Sequence, residues 1–288
     1  MSNLSAKEVP HESRFSPALF LPIPRQGGIA CSPGHEFNRR PTHVKTLLVT
    51  SRVTFVPENY GRLVAGLANN PHVAAVLFLE NRGLLTPAMG AGLWLSRLAP
   101  GIGAELVRNT LSSLHDPREH AMRAAGKCVF HASHINAPET IAILARFDLV
   151  INARTRFIYG GTALAAPRIG CVNIHHGLLP DQRGLLCDLW AQAEGRPTGF
   201  TIHRMAAELD AGEIIARHEV EVVQGRRFVD HALASSIEEL SAIEQVLDRV
   251  GSAGRIEGIP NTKTPATRYY RTPGLAEMVG FKKKGIQL

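Results

Sequence analysis

Ile169-Gly170-Cys171-Val172-Asn173-Ile174-His175-His176-Gly177-Leu178-Leu179-Pro180 reads as a strand that runs out into a loop. Cys171 to Ile174 carries the apolar side chains of a buried strand, and Gly177 and Pro180 break the pattern. Downstream, a helix over Leu186 to Glu194 is stopped by Gly195-Arg196-Pro197, and two strand patterns follow, Gly199 to Met205 and Gly212 to Val222. A helix then runs from Arg227 to about Val250. Upstream, Lys127 to His131 and Asp148 to Ala153 read as strands flanking a helix over Pro138 to Arg146. Earlier still, Thr46-Leu47-Leu48-Val49-Thr50 and Val73 to Leu79 are buried-strand runs around a helical Asn59 to Asn69. Thr86 to Leu114, apolar and interrupted by glycines, reads as two helical pieces. Strands that alternate with helices pair in parallel through crossovers. The fold class is therefore α/β, a Rossmann-like, mostly parallel sheet with flanking helices. Residues 1–44, with repeated Pro and Gly, read as an irregular N-terminal arm, 45–225 as the main domain, and 226–288 as a C-terminal helix and basic tail.

A chain of 288 residues that is 44% hydrophobic can bury a full core. Cys31, Cys128, Cys171 and Cys187 lack C-x-x-C spacing, three of them sit in apolar strand or helix patterns as small hydrophobes, and a reducing compartment is the simpler reading. No leader-like start and no apolar run near the roughly 20 residues that span a bilayer is present. A soluble, cytoplasmic protein without a membrane partner is expected. The net charge of +7 is uneven: residues 1–45 carry six Lys/Arg against three Glu, and 261–288 carry six against one. A nucleic-acid footprint is a basic stripe on a folded face, so charge at the two ends argues against such a partner. Lys282-Lys283-Lys284 reads as a solvated tail.

In an open parallel sheet, ligands collect at the carboxyl ends of strands, where Asn173 and His175 lie. For an isolated Asn-x-His the ordinary reading is a turn cap and an imidazole bonded to backbone. The wider pattern adds Arg183-Gly184, Gly199-Phe200-Thr201-Ile202-His203 and Leu209-Asp210-Ala211-Gly212. Amide, imidazole and carboxylate together can hold an oxyanion and move a proton, which is the chemistry of acyl transfer.

In order and spacing these elements resemble the catalytic core of the folate-dependent formyltransferases, strongly over 150–220. The resemblance implies a formyltransferase domain over 45–225, with Asn173, His175 and Asp210 as catalytic residues and no metal. The formyl donor it implies is N10-formyltetrahydrofolate, with Phe157, Ile158 and Asp210 against the folate. The acceptor would be a primary amine on a small molecule, with a nucleotide-linked amino sugar favoured, and the reaction would pass through a tetrahedral intermediate. Arg183 would meet an acceptor phosphate or, alternatively, bond loop carbonyls; His203 would orient the Asp210 loop or satisfy a carbonyl. Two departures stand out: Gly177 replaces the family's usual Ser, and Leu186-Cys187 replaces the usual Pro beyond Arg-Gly. Ser51-Arg52-Val53-Thr54-Phe55 lacks the phosphate loop of the purine enzyme, and the segment after 225 is too short for the tRNA-binding barrel. Competing readings are a formyltetrahydrofolate hydrolase, which the His175-His176 doublet resembles, and a non-catalytic folate-binding relative. A homodimer through the helix after Arg227 is compatible with the sequence.

Overall fold

Two runs in which every side chain is buried, β1 (Thr46–Ser51) and β2 (Val73–Leu79), are neighbouring interior strands of a seven-stranded sheet. Such continuous apolar runs are what a strand covered on both faces requires. This computed structural model describes residues 43–288, so the expected arm over 1–44 falls almost wholly outside the described residues. The other strands of the sheet are β3 (Cys128–Ala132), β4 (Leu149–Ala153), β5 (Gly170–His175), β7 (Gly199–Arg204) and β8 (Ile214–Glu219). The order is β3-β2-β1-β4-β5-β7-β8, parallel as far as β5 and antiparallel for the last two. The mostly parallel α/β reading therefore holds.

The helices are α1 (Gly61–Leu67), α2 (Leu85–Leu95), α3 (Pro100–Ser112), α4 (Pro117–Ala124), α5 (Pro138–Leu144), α6 (Gly161–Ala165), α7 (Cys187–Glu194), α8 (Phe228–Ala253) and α9 (Leu275–Lys283). The glycine-interrupted stretch 86–114 is accordingly two helices, α2 and α3. On one face of the sheet, Leu63, Leu67, Ile243 and Leu247 of α1 and α8 pack against Leu48, Phe78 and Val172. Ile135, Leu144, Tyr159 and Ala163 pack with Leu47, Leu77 and Val150 on the other.

Two expectations change. The basic tail expected after α8 carries regular structure, although Lys282, Lys283 and Lys284 are exposed as expected: β9 (Arg268–Tyr270) pairs in parallel with β6 (Gln182–Gly184), inside the loop that leaves β5. α9 follows, with Phe281 buried beside Trp190 at 5.0 Å. Local periodicity cannot reveal a three-residue strand, because it exists only through its partner. Cys128 is disulfide-bonded, against the reading of four thiols, while Cys171 and Cys187 are free and buried.

Candidate active site

Sheet pairing assembles the site. Asn173 and His175 are two apart on β5 and share a face. Asn173 lies opposite Asn152 of β4 and opposite His203 of β7. A chain of hydrogen bonds crosses the three strands. The Asn152 Nδ2 donates to Asn173 Oδ1 at 2.7 Å, while Thr155 Oγ1 and the Tyr159 hydroxyl donate to Asn152 Oδ1 at 2.6 and 3.2 Å. At the far end His203 Nδ1 donates to the Arg204 carbonyl at 2.8 Å. That bond makes His203 Nε2 an acceptor, and Asn173 Nδ2 donates to it at 3.2 Å. Burial, reinforced by nearby His175, pushes His203 down to about 4, so the ring is neutral at neutral pH. The Asn173 amide is thus oriented from both sides, and only one of its two N–H groups is taken by His203.

His175 is anchored the other way round. Its Nε2 donates to the Gln182 carbonyl at 2.7 Å, leaving Nδ1 3.5 Å from Asp210 Oδ1. Asp210 Oδ1 is also 3.7 Å from His203 Nε2, and its Oδ2 accepts the Gly184 N–H at 2.8 Å. The carboxylate therefore sits between two imidazoles. Asp210 has a left-handed backbone, φ 52°, and its turn is held from outside the motif. Asn261 Nδ2 donates to the carbonyls of Asp210 and Gly212 at 2.9 and 3.0 Å. A Cβ on Gly212 would stand 2.0 Å from the Arg204 carbonyl oxygen, so only glycine lets this turn lie against β7.

Arg183 is held inside the loop, as the second of its two expected roles requires. It is 1% exposed and donates through Nη2 to the backbone carbonyl and side-chain oxygen of Asn261, both at 3.0 Å. Its role in this geometry is to hold the residue that holds Asp210. Phe157 is half-buried in the core beneath β4, edge-on to His134 at 5.0 Å, whereas Ile158 is exposed. No backbone N–H from Thr155 to Ile158 donates to another backbone group among the described residues. Tyr270 stacks on Trp190 at 5.6 Å, so it is packed on the domain.

His176 points to the opposite face of β5. Its Nε2 lies 3.1 Å from Oε1 of the fully buried Glu239, which also accepts from Ser235 Oγ at 2.7 Å and from the Tyr60 hydroxyl. Burial, with Arg154 nearby, pushes His176 down to about 4. Gly177 is explained by its neighbour: a Cβ there would lie 2.6 Å from Cys187 Cβ and 2.8 Å from His175 Nε2. The two departures from the family pattern are thus neighbours in space. Among the described residues no cluster of His, Cys, Asp and Glu fits a metal ion.

Residues that sequence reasoning left without a role are Asn152, Gln182 and Asn261. Asn152 had a signal, a lone amide in the buried run Leu149-Val150-Ile151-Asn152-Ala153. Gln182 and Asn261 had none, since a backbone carbonyl and a loop amide acquire meaning only from what stands beside them.

Residues 110–243 match the formyl transferase family model. The chain is 32% identical over 145 residues to methionyl-tRNA formyltransferases of Bacillus mycoides (strain KBAB4) and Bacillus thuringiensis (strain Al Hakam). Those matches take in 49% of this chain and 45% of each relative, so the chain spans under half the length of the curated relatives it matches. Its fold is similar to that of glycinamide ribonucleotide transformylase 1 from Symbiobacterium toebii, with a TM-score of 0.53 and 21% identity over 79% of this chain and 100% of that one. A 4-N formyltransferase from Francisella tularensis gives 0.51 and 17% over 79% and 76%. Residues 110–243, which hold Asn173, His175 and Asp210, are thus similar to the formyl transferase family.

Proposed function

We propose that this protein transfers a formyl group from N10-formyltetrahydrofolate to a primary amine of a small-molecule acceptor, with Asn173, His175 and Asp210 as catalytic residues. The observation that carries the proposal is the convergence of an oriented amide N–H, an imidazole nitrogen and a carboxylate at one strand end. The formyl donor is a substrate here. What supports it is that the backbone N–H groups from Thr155 to Ile158 donate to no other backbone group among the described residues, which leaves them to a heteroaromatic edge.

As the amine nitrogen adds to the formyl carbon, the carbonyl electron pair moves to oxygen. The second N–H of Asn173 donates to that oxyanion, an effect worth about 3 kcal/mol. His175 Nδ1 takes the proton from the attacking nitrogen, while its Nε2–H stays on the Gln182 carbonyl. Asp210 balances the imidazolium charge. When the carbon–nitrogen bond to the donor breaks, Nδ1 returns the proton to the leaving nitrogen.

The relatives bear names with different acceptors, a methionyl-tRNA in Bacillus and a 4-N position in Francisella. A small acceptor is favoured because the chain between its basic ends is nearly neutral, and a nucleotide-linked amino sugar fits best. Hydrolysis loses its support, because His176, the residue that raised it, is tied to Glu239 on the other face. Release of tetrahydrofolate from the donor, followed with and without a panel of amines, tests the proposal. Amine-dependent release supports it, and full-rate release without amine overturns it.

A further inference from the structure

The hairpin of α2 and α3 presents an apolar face that the formyl-transfer site does not use. Leu84, Leu85 and Leu95 are 85%, 75% and 75% exposed, and Met89 and Trp94 are exposed between them. Gly90 packs against Leu106 and Val107, and Gly103 against Trp94, so the two helices run antiparallel in close contact. That contact uses the small residues of α2 and leaves its large ones outside. A contiguous exposed patch of this kind marks an interaction surface.

The rim of the patch is basic. Lys282 Nζ donates to the Arg97 carbonyl, which brings the end of α9 against the end of α2. Among the described residues, Arg97, Lys282 and Lys283 have no acidic partner within ion-pair distance. α2 itself has no acidic residue. Beside Trp94 a cleft of about 620 Å³ opens, with Lys282 on its wall together with Arg227, which is paired with Asp230. Two copies of this chain meeting through the face would bring like charges together at the rim, which is unfavourable. A leucine face, an interfacial Trp and a cationic rim instead match an anionic bilayer surface, where apolar insertion and electrostatic attraction act together.

We propose that the α2–α3 face and the Arg97–Lys282–Lys283 rim dock this protein peripherally on anionic phospholipid membranes. The contact rests on surface residues and is independent of the acyl-transfer reading. Each rim cation contributes roughly fivefold to partitioning.

The full chain is sedimented with vesicles of phosphatidylcholine alone or phosphatidylcholine containing phosphatidylglycerol, at low and high salt. The expected result is binding to the anionic vesicles at low salt, at least about tenfold weaker binding to the neutral ones, and release by salt. Tryptophan emission is expected to shift to the blue on binding in the native chain and not in Trp94→Phe. The double variant Leu85→Glu, Leu95→Glu should abolish binding. Lys282→Glu, Lys283→Glu, which reverses two exposed charges and removes one surface hydrogen bond to the Arg97 carbonyl, should weaken it by roughly 100-fold or more with the melting temperature little changed, and keeps the test valid if the leucine variant unfolds. Failure to bind anionic vesicles, equal binding to both kinds, or a dimer in sedimentation that Leu85→Glu dissociates would each overturn the proposal.

Discussion

Asn261 holds Asp210: one side-chain amide donates to the carbonyls of Asp210 and Gly212, at 2.9 and 3.0 Å, across a separation of 51 and 49 residues. Arg183 in turn grips Asn261. The position of the site's carboxylate is thus decided by a segment that takes no part in the chemistry.

Replacing Asn261 with Ala leaves two turn carbonyls without their donor and frees Asp210 to move. Turnover is expected to fall roughly 10- to 100-fold, as small displacements of a catalytic group do, while the KM for the amine changes little. Steady-state kinetics separates the two constants, and an unchanged kcat would show that Asp210 needs no such support.

Asn173→Ala and His175→Ala remove the proposed oxyanion donor and the proposed proton carrier. Each is expected to lower turnover by at least about 100-fold. Thermal melts identify any loss that comes from unfolding instead, and near-native turnover in both variants would mean that the site lies elsewhere.

Acid should unfold this protein through buried imidazoles. His176, His203 and His231 are each held at about 4, burial being the main cause, whereas a free imidazole titrates near 6.5. The unfolded chain therefore binds more protons between about pH 4 and 6.5, so stability is full above that window and is lost as pH falls through it. Asp188, pushed up to about 6 by burial, takes up its proton in the folded state and offsets part of the loss. Urea titrations at about pH 7 and about pH 5 should differ by on the order of 1–2 kcal/mol per imidazole, before that offset. Equal midpoints would contradict the neutral, buried state of these rings.

Gly177→Ser restores the residue usual in the family. Its Cβ would stand 2.6 Å from Cys187 Cβ and press on His175 Nε2. Overpacking of this kind costs about 1–3 kcal/mol, read as a lowered melting temperature, and turnover should drop as His175 shifts. A variant as stable as the native chain would mean that the loop has room the geometry denies it.

The amino-acid order alone carries the alternation of strands and helices, because burial on two faces of a strand or one face of a helix imposes a period that nearby residues display. It also carries Asn173 and His175 at a strand end, since apolar residues stop and loop residues begin there. Its reach failed at β9 and at Asn261, which are ordinary loop residues until they meet β6 and the Asp210 turn. The amide chain through Asn152, Asn173 and His203 needed the sheet order to put β4 and β7 on either side of β5. The contact of Arg183 with Asn261, 78 residues away, is likewise invisible along the chain. Periodicity is a local property, legible along the chain, whereas a hydrogen-bond partner is set by strand order, register and loop packing between residues far apart in sequence.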